Sequence, residues 1–275
     1  MSFEITLLVL FAALLHASWN ALVKGGQDGF WTMTVMGIAT SIACAVLVFF
    51  LPQPARASWP CIAASALLHV GYNAFLVRAY RRGDFGSAYP IARGSSPLLV
   101  TLGAALTVSE WPALSGVAGI LLVSGGIISL AFRGRRVPES GIFYALGTGG
   151  FIAAYSVTDG IGGRLSVSPV AYTVWMCLAW GVTALPIFLM RRPGSAIWRG
   201  ARKTGLAALG GITSLLAYGI VIFAMTRAPM GSVSALRETS VLFAVFLGWL
   251  FFGETLTVRR IVSALVIVAG TLCLE

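Results

Sequence analysis

Charge is what this chain of 275 residues lacks: Asp, Glu, Lys and Arg make up 10% of it and only nine residues are acidic, against about 25% charged residues in soluble domains. So sparse a polar surface excludes a water-soluble globular protein. Histidine and cysteine are scarce as well, with two and four copies. Cys44, Cys61, Cys177 and Cys273 lie in apolar stretches without C-x-x-C spacing, which excludes a zinc ribbon or a disulfide frame and leaves small buried hydrophobes. Two histidines, His16 and His69, without a third ligand do not make a metal site. The motifs H-E-x-x-H and G-x-S-x-G are absent, as are paired aspartates of the intramembrane-protease kind, so no enzyme is expected.

What is present is hydrocarbon: 58% of residues are hydrophobic. Apolar stretches of about 20 residues, the length that crosses a bilayer as a helix, recur with short polar breaks. The pattern predicts spans at 4–23, 30–52, 58–79, 86–107, 113–132, 140–158, 168–190, 204–226, 230–252 and 257–274. Their continuous hydrophobicity excludes a β-barrel. The first span has neither a basic leader nor an A-x-A-like site, so it is expected to stay in the mature protein.

The net charge of +10 does not point to nucleic acid, because most basic residues flank the spans. Odd-numbered connections carry 14 of them and even-numbered ones only three, Arg56, Arg164 and Arg227. The positive-inside rule then makes the odd connections cytoplasmic and puts both termini outside.

The chain repeats itself. The segment starting at Ala79 lies over the one starting at Ala224 with a constant offset of 145, matching Arg82 to Arg227, Gly86 to Gly231, Ser87 to Ser232 and Ser95 to Ser240. Further on, Glu110 meets Glu254 and Gly126 meets Gly270. The expected fold is an all-α polytopic membrane protein, with ten transmembrane helices as a 5+5 repeat around a central cavity, its halves at 1–135 and 139–275. Five spans is an odd number, so consecutive copies enter the membrane from opposite sides, and inverted repeats supply the two packings of alternating access.

Polar side chains stripe several spans. His16, Asn20 and Lys24 stand at i, i+4 and i+8 with Trp19 beside them, on one face of the first helix. In hydrocarbon such a face is costly, so it is expected to look into a wet cavity; the alternative is that Lys24 snorkels and His16 and Asn20 tie helices together. The third span adds His69, Tyr72 and Asn73, and the fourth adds Tyr89 and Arg93 with Pro90 and Pro97 nearby, read as carbonyl-freeing kinks or as structural ones. Tyr155 and Asp159 in the sixth lie over His16 and Asn20 at an offset of 139; the eighth carries Tyr218, and the ninth Arg237 and Glu238. The offset of 145 lays Glu238 over Arg93. Because buried charges are normally paired, Arg93 with Glu238, or Arg237 with Asp159, is expected to form an ion pair lining the cavity. These fourteen residues are the candidate substrate-binding set. Ser109, Glu110 and Pro112 read as the start of the fifth helix and Glu254 as that of the tenth, the acids serving as caps. Gly141, Ala145, Gly149 and Ala153 form a small-xxx-small packing ridge.

Ten spans in two halves, the stretch "SWNALVK" in the first helix, and "SE" and "GE" at Glu110 and Glu254 resemble the EamA-type transporters of the drug/metabolite transporter superfamily over essentially the whole chain. The resemblance implies a secondary transporter of metabolites such as amino acids, helices five and ten peripheral, Lys24 as the family's basic residue, and both termini cytoplasmic, opposite to the charge count. The mixture of aromatic, cationic and anionic groups fits a small polar or zwitterionic, amino-acid-like metabolite; a multidrug or cation exporter, a channel and a membrane-embedded enzyme are the alternatives. No cofactor is expected, and a proton-coupled cycle would have to use Asp159, Glu238 or the histidines. The expected partners are membrane lipid and the substrate, not nucleic acid. A monomer is expected because duplication removes the need for a second copy, with a homodimer as the alternative, and the expected location is the bacterial cytoplasmic (inner) membrane.

Overall fold

The computed structural model describes residues 1–25, 28–82, 85–131, 138–253 and 255–274. They are helical, with no strand among them. In chain order the helices are α1 (Phe3–Gly25), α2 (Gly29–Leu47), α3 (Trp59–Arg82), α4 (Phe85–Val108), α5 (Leu114–Ser129), α6 (Glu139–Leu165), α7 (Pro169–Gly181), α8 (Ala184–Arg191), α9 (Ala201–Met225), α10 (Met230–Arg237), α11 (Ser240–Phe252) and α12 (Val258–Leu272). Among the described residues, eight helical stretches are long and apolar enough to cross a membrane, counting α7 with α8, and α10 with α11, as one each. The fifth and tenth expected spans correspond to shorter helices of 16 and 15 residues. Large apolar side chains point outward around the bundle, among them Phe49, Leu106, Leu114 and Met190. In water that surface would be untenable; facing acyl chains it costs nothing. The chain is a polytopic membrane protein.

Two predicted helices are interrupted. The span at 168–190 breaks at Val182–Thr183, where Pro186 removes a donor and its ring crowds the carbonyl four residues back. The span at 230–252 breaks at Glu238–Thr239 without any proline. There the backbone tightens to i→i−3 bonds, Glu238 N–H donating to Ala235 O and Thr239 N–H to Leu236 O, while the Thr239 hydroxyl also donates to Leu236 O at 2.8 Å. By contrast α4 is helical throughout, with Pro90 and Pro97 inside it.

The main packing partners are α3 with α6, α4 with α6, α1 with α9, α2 with α9, α5 with α12, α4 with α5, and α1 with α11, joined by α4 with α10, α2 with α7 and α3 with α7. The small-residue ridge of α6 is buried along its length. A Cβ at Gly149 would run into the Ser95 hydroxyl and come within 2.9 Å of Ala92 O, so glycine permits the close α4–α6 approach. The same device joins α5 to α12, where Gly119 and Gly270 face each other's carbonyls. The main apolar core draws on several helices and holds Val9, Val100, Ile127, Met225, Met230 and Ile267. Cys44 on α2 and Cys177 on α7, distant in sequence, meet as free thiols.

The expected cap at Glu110 is corrected in its address. α5 begins at Leu114 with Ala113 at its N-cap and no side-chain cap. Glu110 Oε1 instead accepts the Met230 N–H at 2.8 Å, at the start of α10, while Oε2 pairs with Arg164 at 3.0 Å. Glu254 lies outside the described residues, and the N-terminus of α12 is capped by Thr257, whose hydroxyl accepts from Arg260 N–H.

Candidate functional site

Two polar clusters occupy the middle of the bundle. In the first, Arg93 from α4 reaches across to Glu238, at the junction of α10 and α11, with Nε 2.7 Å from Oε2. A second arginine, Arg237, precedes that acid in the chain and donates from a terminal nitrogen to Glu238 Oε1 at 3.4 Å. Arg93 also donates to the Ser240 hydroxyl at 3.4 Å, and its guanidinium lies 6.0 Å from the Tyr89 ring centroid. Arg93, Arg237 and Glu238 are all buried, Glu238 completely.

In the second cluster Asp159 of α6 is fully buried and saturated with donors. Tyr172 of α7 donates to Oδ1 at 2.8 Å and Tyr218 of α9 to Oδ2 at 2.5 Å. The Ser65 hydroxyl of α3 lies within electrostatic reach of Asp159, 3.3 Å from His69 Nδ1. Beside it the His69 ring stacks on Tyr155 at 4.1 Å between centroids, with Trp180 at 5.4 Å and Tyr218 edge-on at 6.2 Å. His69 Nδ1 bonds to Ser65 O at 2.8 Å, which fixes the ring. Tyr72 sits edge-on to Tyr155 at 5.8 Å, and Asn73, next to it in α3, is half-buried. Tyr155 joins the clusters, lying within electrostatic reach of Arg93, Arg237 and Asp159.

Of the two pairings expected from the sequence, the structure holds Arg93 with Glu238; Arg237 turns to Glu238 and not to Asp159. On α1, His16 and Trp19 stack edge-to-face at 4.9 Å, with His16 within electrostatic reach of both arginines. Asn20 donates back to His16 O at 2.7 Å, within its own helix. The side chain of Lys24 lies outside the described residues. Half-buried His16, Trp19, Asn20, Tyr72, Tyr89 and Tyr218 keep some accessible surface around the buried charges.

Sequence reasoning passed over Tyr172, Ser65 and Ser240. Tyr172 sits in an apolar run with no stripe around it, and only folding brings it to Asp159. Ser65 stands one turn before His69, a spacing that marks it once the site is known. It also passed over Asp28, which joins the ends of two helical pairs: Oδ1 caps α2 by accepting from Trp31 N–H at 3.1 Å, and Oδ2 lies 2.5 Å from Arg192 and 3.1 Å from Arg199. Arg199 stacks over Trp31 at 4.8 Å, and the Trp31 indole N–H donates to Ile197 O at 2.9 Å. The capping bond first, and then the two guanidiniums, hold the Asp28 carboxyl below its ordinary value against some desolvation.

Comparison with known proteins gives a consistent setting. Residues 139–274 match the EamA-like transporter family. A solved crystal structure of another protein superposes with a TM-score of 0.80 at 19% identity, covering 100% of this chain and 98% of that one, which shows a shared fold. No curated relative matches the chain.

Proposed function

The chain belongs to the EamA-like transporter family, and on that premise we propose that it is a secondary active transporter of a small polar or zwitterionic metabolite, working by alternating access between two inverted five-helix halves, 1–135 and 139–275. The observation that carries the reading is the contact of Arg93 with Glu238. These positions are equivalent under the internal repeat. Equivalent positions touch only near an axis relating the halves, so the charged cluster lies where two such bundles would pivot.

The packing supports the same ten-span arrangement. Exchanging α1 with α6, α2 with α7, α3 with α9, α4 with α10 and α11, and α5 with α12 maps most of the main contacts onto one another; the exception is α4–α5, since α12 makes no comparable contact with α10 or α11 among the described residues. The α1–α9 contact becomes α6–α3, α2–α9 becomes α7–α3, and α1–α11 becomes α6–α4; α2–α7, α4–α10 and α5–α12 are their own images. Two ion-pair clusters bridge the halves at opposite ends of the helices. Asp28 with Arg192 and Arg199 closes one end; Glu110 with Arg164 and the Met230 N–H closes the other. Opening either end requires one cluster to part while the other holds, which is the physical content of alternating access. We place the protein in the bacterial cytoplasmic membrane as a monomer, with proton coupling, if present, at Asp159, Glu238 or the histidines.

The test is counterflow of a metabolite panel in proteoliposomes of known orientation. Saturable counterflow supports a carrier. Non-saturating flux would favour a channel, and product formation without movement an enzyme. Asn20→Ala and Lys24→Ala should both slow transport while leaving the fold intact; wild-type rates in both would remove the α1 stripe from the site.

A further inference from the structure

The central groups are unequally satisfied. Both carboxylates are occupied: each oxygen of Glu238 lies against a guanidinium, and the two oxygens of Asp159 accept from Tyr172 and Tyr218. The donors are not. Arg93 Nε and Glu238 Oε2 lack a hydrogen bond of good geometry but lie 2.7 Å apart as an ion pair, whereas Arg237 Nε is buried without a hydrogen-bond partner among the described residues, in a side chain only 5% exposed. The Ser234 hydroxyl, one turn earlier on α10, and the Trp19 indole N–H on α1 are likewise buried without partners. The Arg93–Glu238–Arg237 cluster also holds two cations against one anion. Excess positive charge far from water is expensive, and a buried N–H left unmade carries its full desolvation cost. One kind of ligand relieves both: an acceptor-rich anion.

We propose that this site recognises the carboxylate of its substrate through Arg237, that Arg93 serves to hold Glu238, and that neither Glu238 nor Asp159 is available to an amine. This rests on the transporter reading and narrows it: carboxylates are accepted whether or not they carry an ammonium, and amines lacking a carboxylate are rejected. The His16, Tyr89, Tyr155 and Tyr218 rings within electrostatic reach of Arg237 would flank the rest of the molecule. A cation exporter needs a free buried carboxylate, and neither of these two is free.

The probes are matched triplets on several skeletons: acetate, acetamide and ethylamine; benzoate, benzamide and benzylamine; and phenylalanine with its amide. Each is titrated at constant ionic strength against the purified full-length protein, with the shift in thermal unfolding as readout. The expected result is saturable stabilisation by carboxylates of at least one skeleton and none by the matching amines. Arg237→Gln should weaken carboxylate binding about tenfold or more, the loss of a charge-assisted hydrogen bond. If Arg237→Gln does not fold, Arg237→Lys, which keeps the charge and removes Nε, should fold and lose most of the same affinity. Stabilisation by amines, undiminished carboxylate binding in the Arg237 variants, or no saturable carboxylate effect in the wild type would overturn the proposal. Counterflow of other substrates in that last case leaves the transporter reading standing, whereas carboxylate binding without any counterflow sinks that reading and keeps the anion site.

Discussion

The same set of groups is built twice in this protein, with different consequences. At one end of the bundle Asp28 meets Arg192 and Arg199; at its centre Glu238 meets Arg93 and Arg237. Each is one carboxylate between two arginines. The end cluster is partly open, with arginine side chains 41% and 34% exposed, while those at the centre are 8% and 5% exposed. Water and salt screen the first, and its excess charge is solvated. At the centre burial leaves the charges little screened, so each group depends on the others, and one donor of Arg237 is left over. Burial, and not composition, separates the two clusters.

The comparison breaks most sharply at Glu238. Glu238→Gln leaves two guanidiniums buried without a counter-charge, and should cost about 3–5 kcal/mol of stability, read by thermal or denaturant unfolding in detergent. Adding Arg93→Met returns the excess charge to its wild-type level and should recover part of that loss. A double variant as unstable as the sum of the two singles would mean that the groups do not act as a pair. Tyr172→Phe tests the neighbouring acid and should cost about 1–3 kcal/mol by taking a donor from Asp159 Oδ1; an unchanged unfolding midpoint would detach that bond from the fold. At the end cluster, Asp28→Asn keeps a capping oxygen for Trp31 N–H but removes the charge, and should cost about 1 kcal/mol or less, a difference that high salt erases.

The smallest expected effect sharpens the end cluster further. Because the folded Asp28 carboxyl titrates below its ordinary value of 3.8, its contribution is fully present above that pH and is lost as pH falls through the lower folded value. The stability difference between wild type and Asp28→Asn should therefore stay level from neutrality to about pH 4 and shrink below it. A difference that grew on acidification would mean that the charge opposes folding.

How much of this was legible before folding depended on spacing. Helical stripes and a fixed repeat offset are local or periodic signals, so Arg93 and Glu238 could be matched and their pairing anticipated. Tyr172 and Asp28 carry no such signal. Each acquires its partners from a helix that only packing brings near, Arg192 lying 164 positions from Asp28. Proline does not mark where a span is interrupted: α4 is helical through Pro90 and Pro97, whereas the break at Glu238–Thr239 contains no proline. The sequence assigns Glu110 to the start of the helix that follows it, whereas its carboxylate accepts the first N–H of α10, 120 positions away.

Hydrophobicity and its period were enough to establish a helical membrane protein with polar groups in its spans, since a backbone in lipid must bond to itself and nearly any apolar run of that length becomes a helix. Which polar groups meet, which carboxylates are filled and which guanidinium is left with an unused donor were decided by which helices pack together and by how closely small residues let them approach. Those depend on positions a few ångströms apart in space and far apart in the chain, where the short range of hydrogen bonds makes geometry, and not order, the deciding quantity.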